Sequence, residues 1–162
     1  MRRTLELAEI EAAYRAHGAA FERVAIAIAG DEGLGRDAVQ EAFVRAIRRR
    51  RTFRSEAPLV AWLWRVVLNE ARRRRQRFDE ELLPEHEPAH LPADDDTGAV
   101  RARIAALPER QRLALFLRYY ADLDYNAIAT ALEIRPGTVA ATLNAARRRL
   151  HHELQEVEKW TS

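Results

Sequence analysis

Between Leu107 and Leu150 the chain reads LPERQRLALFLRYYADLDYNAIATALEIRPGTVAATLNAARRRL, where two short helical periodicities are interrupted by only three residues. The pattern predicts one helix with Asp124 as N-cap and Ile128, Ala129 and Leu132 inward, then a second that starts at Pro136 with Val139, Leu143, Ala146 and Leu150 inward. Steps of four, three and four residues keep this second set on one face. Pro136 suits a first helical position, because its missing N–H has no intrahelical acceptor there. Two short helices joined through Glu133-Ile134-Arg135 outline a helix-turn-helix, a shape that docks a helix against DNA.

The remainder is also predicted helical, with no strand pattern. A first helix from about Leu5 to Ala16 turns Leu5, Ile10, Ala13 and Tyr14 inward, and a second from about Ala19 to Ala29 turns in Phe21, Val24, Ala25 and Ile28. Gly30-Asp31-Glu32-Gly33-Leu34-Gly35 breaks the pattern with three glycines. A third helix from Asp37 to about Arg50 carries Val39, Ala42, Phe43, Ala46 and Ile47, and a fourth from Leu59 to about Gln76 carries Leu59, Leu63, Val66, Val67 and Ala71. Trp62 and Trp64 lie two apart and cannot face the same way, so one belongs to the core and the other is available for stacking or wedging. Beyond the fourth helix, FDEELLPEHEPAHLPADDDTG has prolines at 84, 88 and 92 that forbid a long helix. A short helix near Val100 to Ala106 follows, and Pro108 begins another whose Leu113, Phe116, Leu117 and Tyr120 pack against the helix-turn-helix. The expected fold is all-α, with domains at 1–77 and 99–162 joined by an acidic, proline-containing linker at 78–98.

Charge follows the same division. Residues 1–78 hold 17 basic and 10 acidic side chains, 79–98 none and 8, and 99–162 10 and 7, so the segments carry +7, −8 and +3. Two basic modules separated by an acidic tether suggest polyanion-binding domains. Of the 27 basic residues 26 are arginine, which reflects either phosphate and base-edge contacts or genome base composition. The absence of cysteine excludes disulfides and thiolate metal sites. His86, His90 and Asp94 to Asp96 are read as solvated linker rather than a metal site, since nothing rigid fixes their geometry. No signal-peptide or membrane-spanning run is present, so a soluble cytoplasmic protein is expected. No nucleophile–base pair, phosphate-binding glycine loop or cofactor motif is found, so neither an enzyme nor a cofactor is expected.

Several motifs together carry a resemblance. They are DAVQEAFVRA from Asp37, then Phe53, then AWLWRVVLN from Ala61, LPERQ from Leu107, LRY from Leu117, YNAIA from Tyr125, GTV from Gly137 and ARRRL from Ala146. In this order the chain resembles bacterial RNA polymerase sigma factors of the small, two-domain extracytoplasmic-function class, over most of its length. The resemblance implies promoter specificity in transcription initiation, with core RNA polymerase and promoter DNA as partners and an anti-sigma factor as a further one. It assigns Asp37, Gln40, Glu41 and Arg45 to the polymerase surface. Arg54, Ser55, Arg65, Asn69, Arg72 and Arg73 are assigned to the melted −10 element, where a flipped base enters a loop pocket. The acidic linker would thread the polymerase's active-site and RNA-exit channel.

For the −35 element the candidates are Arg135, Thr138, Thr142, Asn144, Arg147 and Arg148. Here the chain departs from the family, having Ala140, Ala141, Thr142, Asn144 and Ala145 where relatives carry lysine, serine and arginine just after Gly-Thr-Val and more basic residues a turn later, so phosphate contacts are fewer. Thr142 and Asn144 in an alanine-rich helix point to A·T-rich DNA. Arg36 stands where relatives carry an acid, which predicts weaker binding to polymerase. Arg48 to Arg51 read either as a solvated helix end or as a dedicated DNA contact. Two other functions stay open: a helix-turn-helix operator regulator acting without polymerase, and a sigma-like decoy that has lost promoter binding.

Overall fold

Among the described residues Gly30 is the one glycine at which the chain turns left-handed, with φ 76°, and it ends the first helix by donating its N–H to the Ile26 carbonyl at 2.8 Å. The computed structural model describes residues 3–54, 56–81 and 98–161. Among them it has seven α-helices, one 3₁₀ turn and no strand: α1 (Leu7–Ala29), α2 (Glu32–Arg49), the turn Arg50–Thr52, α3 (Leu59–Glu81), α4 (Gly98–Ala106), α5 (Glu109–Tyr119), α6 (Tyr125–Leu132) and α7 (Pro136–Thr161). They fall into two compact units, Met1–Leu91 and Pro92–Ser162. No helix among the described residues is long and apolar enough to cross a membrane.

The amino-terminal unit packs α1, α2 and α3 together. Instead of two helices, α1 is continuous through Gly18. Ile10, Ala13, Phe21, Val24 and Ile28 hold one stripe across that glycine, and its burial outweighs the roughly 1 kcal/mol that an interior glycine costs. The second difference is that α2 begins at Glu32, five residues before Asp37, because Asp31 caps it by accepting the Leu34 N–H at 2.8 Å. Gly35 is therefore helical. It allows a close approach to α1, since a Cβ there would stand 2.5 Å from Ile26 Cα.

At the other end α3 runs past Gln76 to Glu81, so Phe78 to Glu81 are helical rather than linker. Arg75–Asp79 at 3.0 Å and Gln76 to Glu80 at 3.3 Å support the added turn. Arg75 also donates to the Ala29 carbonyl at 3.3 Å, closing the C-terminus of α1. The aromatic centre is Phe21 between Trp64 and Phe43, with centroids 4.5 and 5.5 Å away. Tyr14 touches the Phe43 edge at 4.9 Å but is 43% exposed, so it rims the core rather than filling it. A satellite cluster of Leu5, Ile10 and Phe53 packs with Ile47, Leu59 and Trp62.

In the carboxy-terminal unit Leu113, Leu117, Ile128, Val139, Leu143 and Ala146 are fully buried between α5, α6 and α7. The Asp124 carboxylate accepts the Ala127 N–H at 2.7 Å, as an N-cap should. Glu133 closes α6 in a left-handed conformation, φ 57°, and Pro136 opens α7. The turn therefore consists of Glu133, Ile134 and Arg135. Arg103 donates to the Glu153 carbonyl and fastens α4 to α7. Tyr120 is 60% exposed at the end of α5, so Leu113 and Leu117 make the contact it was expected to share.

Candidate nucleic-acid interfaces

On the outer side of α2, Asp37 and Gln40 are exposed and Glu41 is half-buried. Asp37 pairs with Arg74 of α3 at 3.6 Å, and Glu41 with Arg45 at 3.3 Å. Arg45 then reaches Glu70 of α3 at 3.4 Å. Glu70 is a functional neighbour that the sequence reading missed. It is 2% exposed and also has Arg73, Arg74 and Arg77 within 3.6 to 3.9 Å, while its Oε1 accepts no hydrogen bond. The signal was available, because Glu70 is the one acidic residue between Glu56 and Asp79 and stands a turn before an arginine run.

Along α3, Trp62, Arg65, Asn69 and Arg72 recur at steps of three, four and three and share one face. Trp64 is fully buried on the other side, as the parity argument requires of one tryptophan. Phe53 lies edge-on to Trp62 at 5.5 Å, and this contact brings the exposed Arg54 to the start of the face. Arg65, Asn69 and Arg72 are part-buried. Arg73, four residues after Asn69, borders the same face, but its guanidinium leans toward Glu70 at 3.9 Å. Ser55 and the linker residues His86, His90 and Asp94 to Asp96 lie outside the described residues.

The outward face at the start of α7 carries Gly137, Ala141, Asn144 and Arg148, all exposed, with Arg135 exposed in the turn before it. Thr138 is half-buried. Thr142 is turned inward: it is 9% exposed and its hydroxyl donates to the Thr138 carbonyl at 2.7 Å. With so little of the side chain exposed it is not presented to a base edge, which corrects the expectation for this residue. Arg147 is exposed but held, its Nε donating to the Tyr119 hydroxyl at 3.0 Å and its guanidinium 5.8 Å from that ring's centre. The hydrogen bond to Tyr119 raises the Arg147 pKa.

The sequence matches Sigma-70 region 2 over residues 13–79 and Sigma-70 region 4 over residues 97–150. It is 31% identical over 140 residues to the RNA polymerase sigma-H factor of Pseudomonas aeruginosa, a span that covers 74% of this chain and 72% of the relative. The chain belongs to the extracytoplasmic-function class of RNA polymerase sigma factors. The sigma-E factor of Escherichia coli K12, of the same class, is 28% identical over 139 residues, covering 74% of this chain and 73% of the relative.

Two solved structures share the fold. CnrH in complex with the cytosolic domain of CnrY has a TM-score of 0.70 at 21% identity, over 93% of this chain and 90% of that one. The sigma factor RpoE in complex with the anti-sigma factor NepR from Bartonella quintana has 0.71 at 22%, over 91% and 97%. Region 2 of this sigma factor thus spans most of α1 and all of α2, with α3 to within two residues of its end. Region 4 contains α4, α5, α6 and the first half of α7, including the helix-turn-helix. The protein is an RNA polymerase sigma factor of transcription initiation, with core polymerase and promoter DNA as its partners. The operator-regulator and decoy readings are not favoured by these matches.

Proposed function

We propose that this sigma factor divides promoter recognition between its two units and contributes no catalytic chemistry of its own. In the amino-terminal unit, Asp37, Gln40, Glu41 and Arg45 form the surface for core polymerase. Arg54, Ser55, Arg65, Asn69 and Arg72 take the melted −10 strand, with Trp62 as a stacking aromatic and Arg73 as a flanking charge. The observation that carries this reading is the single face of α3 on which Arg65, Asn69 and Arg72 follow Trp62, with Arg54 brought to its start by Phe53.

In the carboxy-terminal unit, Arg135, Thr138, Asn144, Arg147 and Arg148 meet the −35 element. Asparagine reads adenine edges and the arginines hold phosphates. Between α3 and α4, residues 82–97, with five carboxylates and no lysine or arginine, imitate nucleic acid within the polymerase channel. The work is done in the cytoplasm, where the polymerase is. An anti-sigma protein is a further partner; the RpoE structure, solved with one, supports this.

Promoter-dependent transcription by core polymerase with Asn69→Ala and Asn144→Ala variants tests the division. Asn69→Ala should lose discrimination within the −10 element alone, and Asn144→Ala within the −35 element alone. Loss in the opposite element, or no loss, would overturn it.

A further inference from the structure

Two sets of arginines in the amino-terminal unit differ in their partners. Arg45, Arg73, Arg74 and Arg77 surround Glu70, and Asp37 and Glu41 add carboxylates beside Arg74 and Arg45. Four guanidiniums there meet three carboxylates. Arg48, Arg49, Arg51 and Arg54 are exposed, and among the described residues no carboxylate stands within ion-pair distance of any of them. Glu56, the acidic residue next in the chain, is exposed and pairs with none of the four. Four arginines without a carboxylate partner among the described residues are therefore gathered at the turn after α2.

That turn is held in place by its backbone. The Arg50 carbonyl accepts the Leu5 N–H at 3.1 Å, and the Arg49 carbonyl accepts the Thr52 hydroxyl at 2.8 Å. Arg50 itself donates to the Ile47 carbonyl at 3.1 Å, and Phe53 is buried against Leu5, Ile10 and Trp62. Like charges fixed side by side repel one another, and a polyanion relieves that repulsion. A guanidinium fork matches the phosphate oxygens of such a polyanion.

Continuity selects the partner. Phe53 abuts Trp62, where the face through Arg65, Asn69 and Arg72 begins, and that face is about 15 Å long at the rise of a helix. A strand lying along it runs onto the turn. We propose that Arg48, Arg49 and Arg51, with Arg54, form a ledge that binds the phosphodiester backbone of promoter DNA without regard to base sequence and prolongs the −10 path beyond α3. This rests on the reading of α3 as the −10 face.

The test uses holoenzyme assembled from core polymerase and the full chain, on a promoter fragment melted across its −10 element, with affinity followed against salt. Replacing Arg48, Arg49 and Arg51 together by Gln should lower the salt slope by about 2, as expected for three single-strand phosphate contacts. Between about 50 and 200 mM salt the variant then loses about 20-fold less affinity than the wild type. The triple Arg→Lys variant should restore the slope. An unchanged slope in the Gln variant overturns the ledge. So does an unchanged slope on DNA combined with salt-sensitive loss of holoenzyme assembly, which would assign the arginines to a protein contact. Asn69→Ala separates the two readings: if it keeps −10 selectivity while the Gln variant loses slope, the ledge stands and the α3 face falls.

Discussion

Replacing Gly35 by alanine challenges the contact that sets α2 against α1. A Cβ at this position stands 2.5 Å from Ile26 Cα and Cγ1 and 2.6 Å from its nitrogen. Ordinary carbon contacts need about 3.5 Å, so the helices must separate by about 1 Å. Two of the three atoms are backbone in the interior of α1, which no rotamer change can move aside. Overpacking of this kind costs about 1–3 kcal/mol, and the upper end applies where backbone is struck. Alanine returns about 1 kcal/mol through its better helix propensity. The net is a loss of about 2 kcal/mol, or about 8–16 °C in the melting of a unit of this size. Gly137→Ala is the control: nothing lies within 4 Å of its Cβ, so the same exchange there should be neutral or stabilising. Calorimetry or near-ultraviolet dichroism of the two variants reads the result. A Gly35→Ala protein that melts at or above wild type would refute the close-approach reasoning.

Further outcomes follow from single contacts. Glu70→Ala removes the carboxylate under four guanidiniums. Because those arginines are 27 to 61% exposed and can turn to water, the cost is about 1–3 kcal/mol, below the range for a fully buried pair, and appears as a lower urea midpoint. Thr142→Ala should leave −35 binding within twofold, whereas Asn144→Ala should lose about 1–3 kcal/mol of base discrimination in a competition assay. The Glu9 carboxyl is held below the usual glutamate value, first by the Glu6 N–H at 3.0 Å and then by Arg3 at 2.7 Å. A lowered folded pKa gives stability that is present above about pH 4.3 and lost as pH falls through the folded value. Protection factors of the amides in the first turn of α1, taken against the intrinsic exchange rate at each pH, should therefore fall on acidification, and Glu9→Gln should remove that dependence.

The helix-turn-helix was legible in the sequence because its determinants are local: the Asp124 cap, the three-residue break, Pro136 and the Val139–Leu143–Ala146 stripe. The same periodicity places Thr142 inward, three residues after Val139 and four before Ala146, and taking it as a contact to A·T-rich DNA ignored that face. Glycines misled for a physical reason. Gly18, Gly33 and Gly35 read as breaks, but packing carries α1 through Gly18 and α2 through Gly35, the Asp31 cap starts α2 ahead of Gly33, and of these glycines and Gly30 only Gly30 adopts the left-handed conformation that ends a helix. The tryptophan parity rule held since it depends on helical geometry alone, which sends Trp64 to the core and leaves Trp62 against Phe53. Composition could not say which arginines are paired. Arg73 and Arg54 look equivalent in sequence, yet one leans on a buried carboxylate and the other stands in water.

Transcription reconstituted from core RNA polymerase, the full chain and genomic fragments is the most direct measurement. Discrete, promoter-dependent start sites that appear only when the chain is added, and that are lost when Asn69 and Asn144 are both replaced by alanine, are the expected result. A chain that binds polymerase but yields no discrete starts, or starts that persist in the double variant, would contradict promoter recognition by these two surfaces.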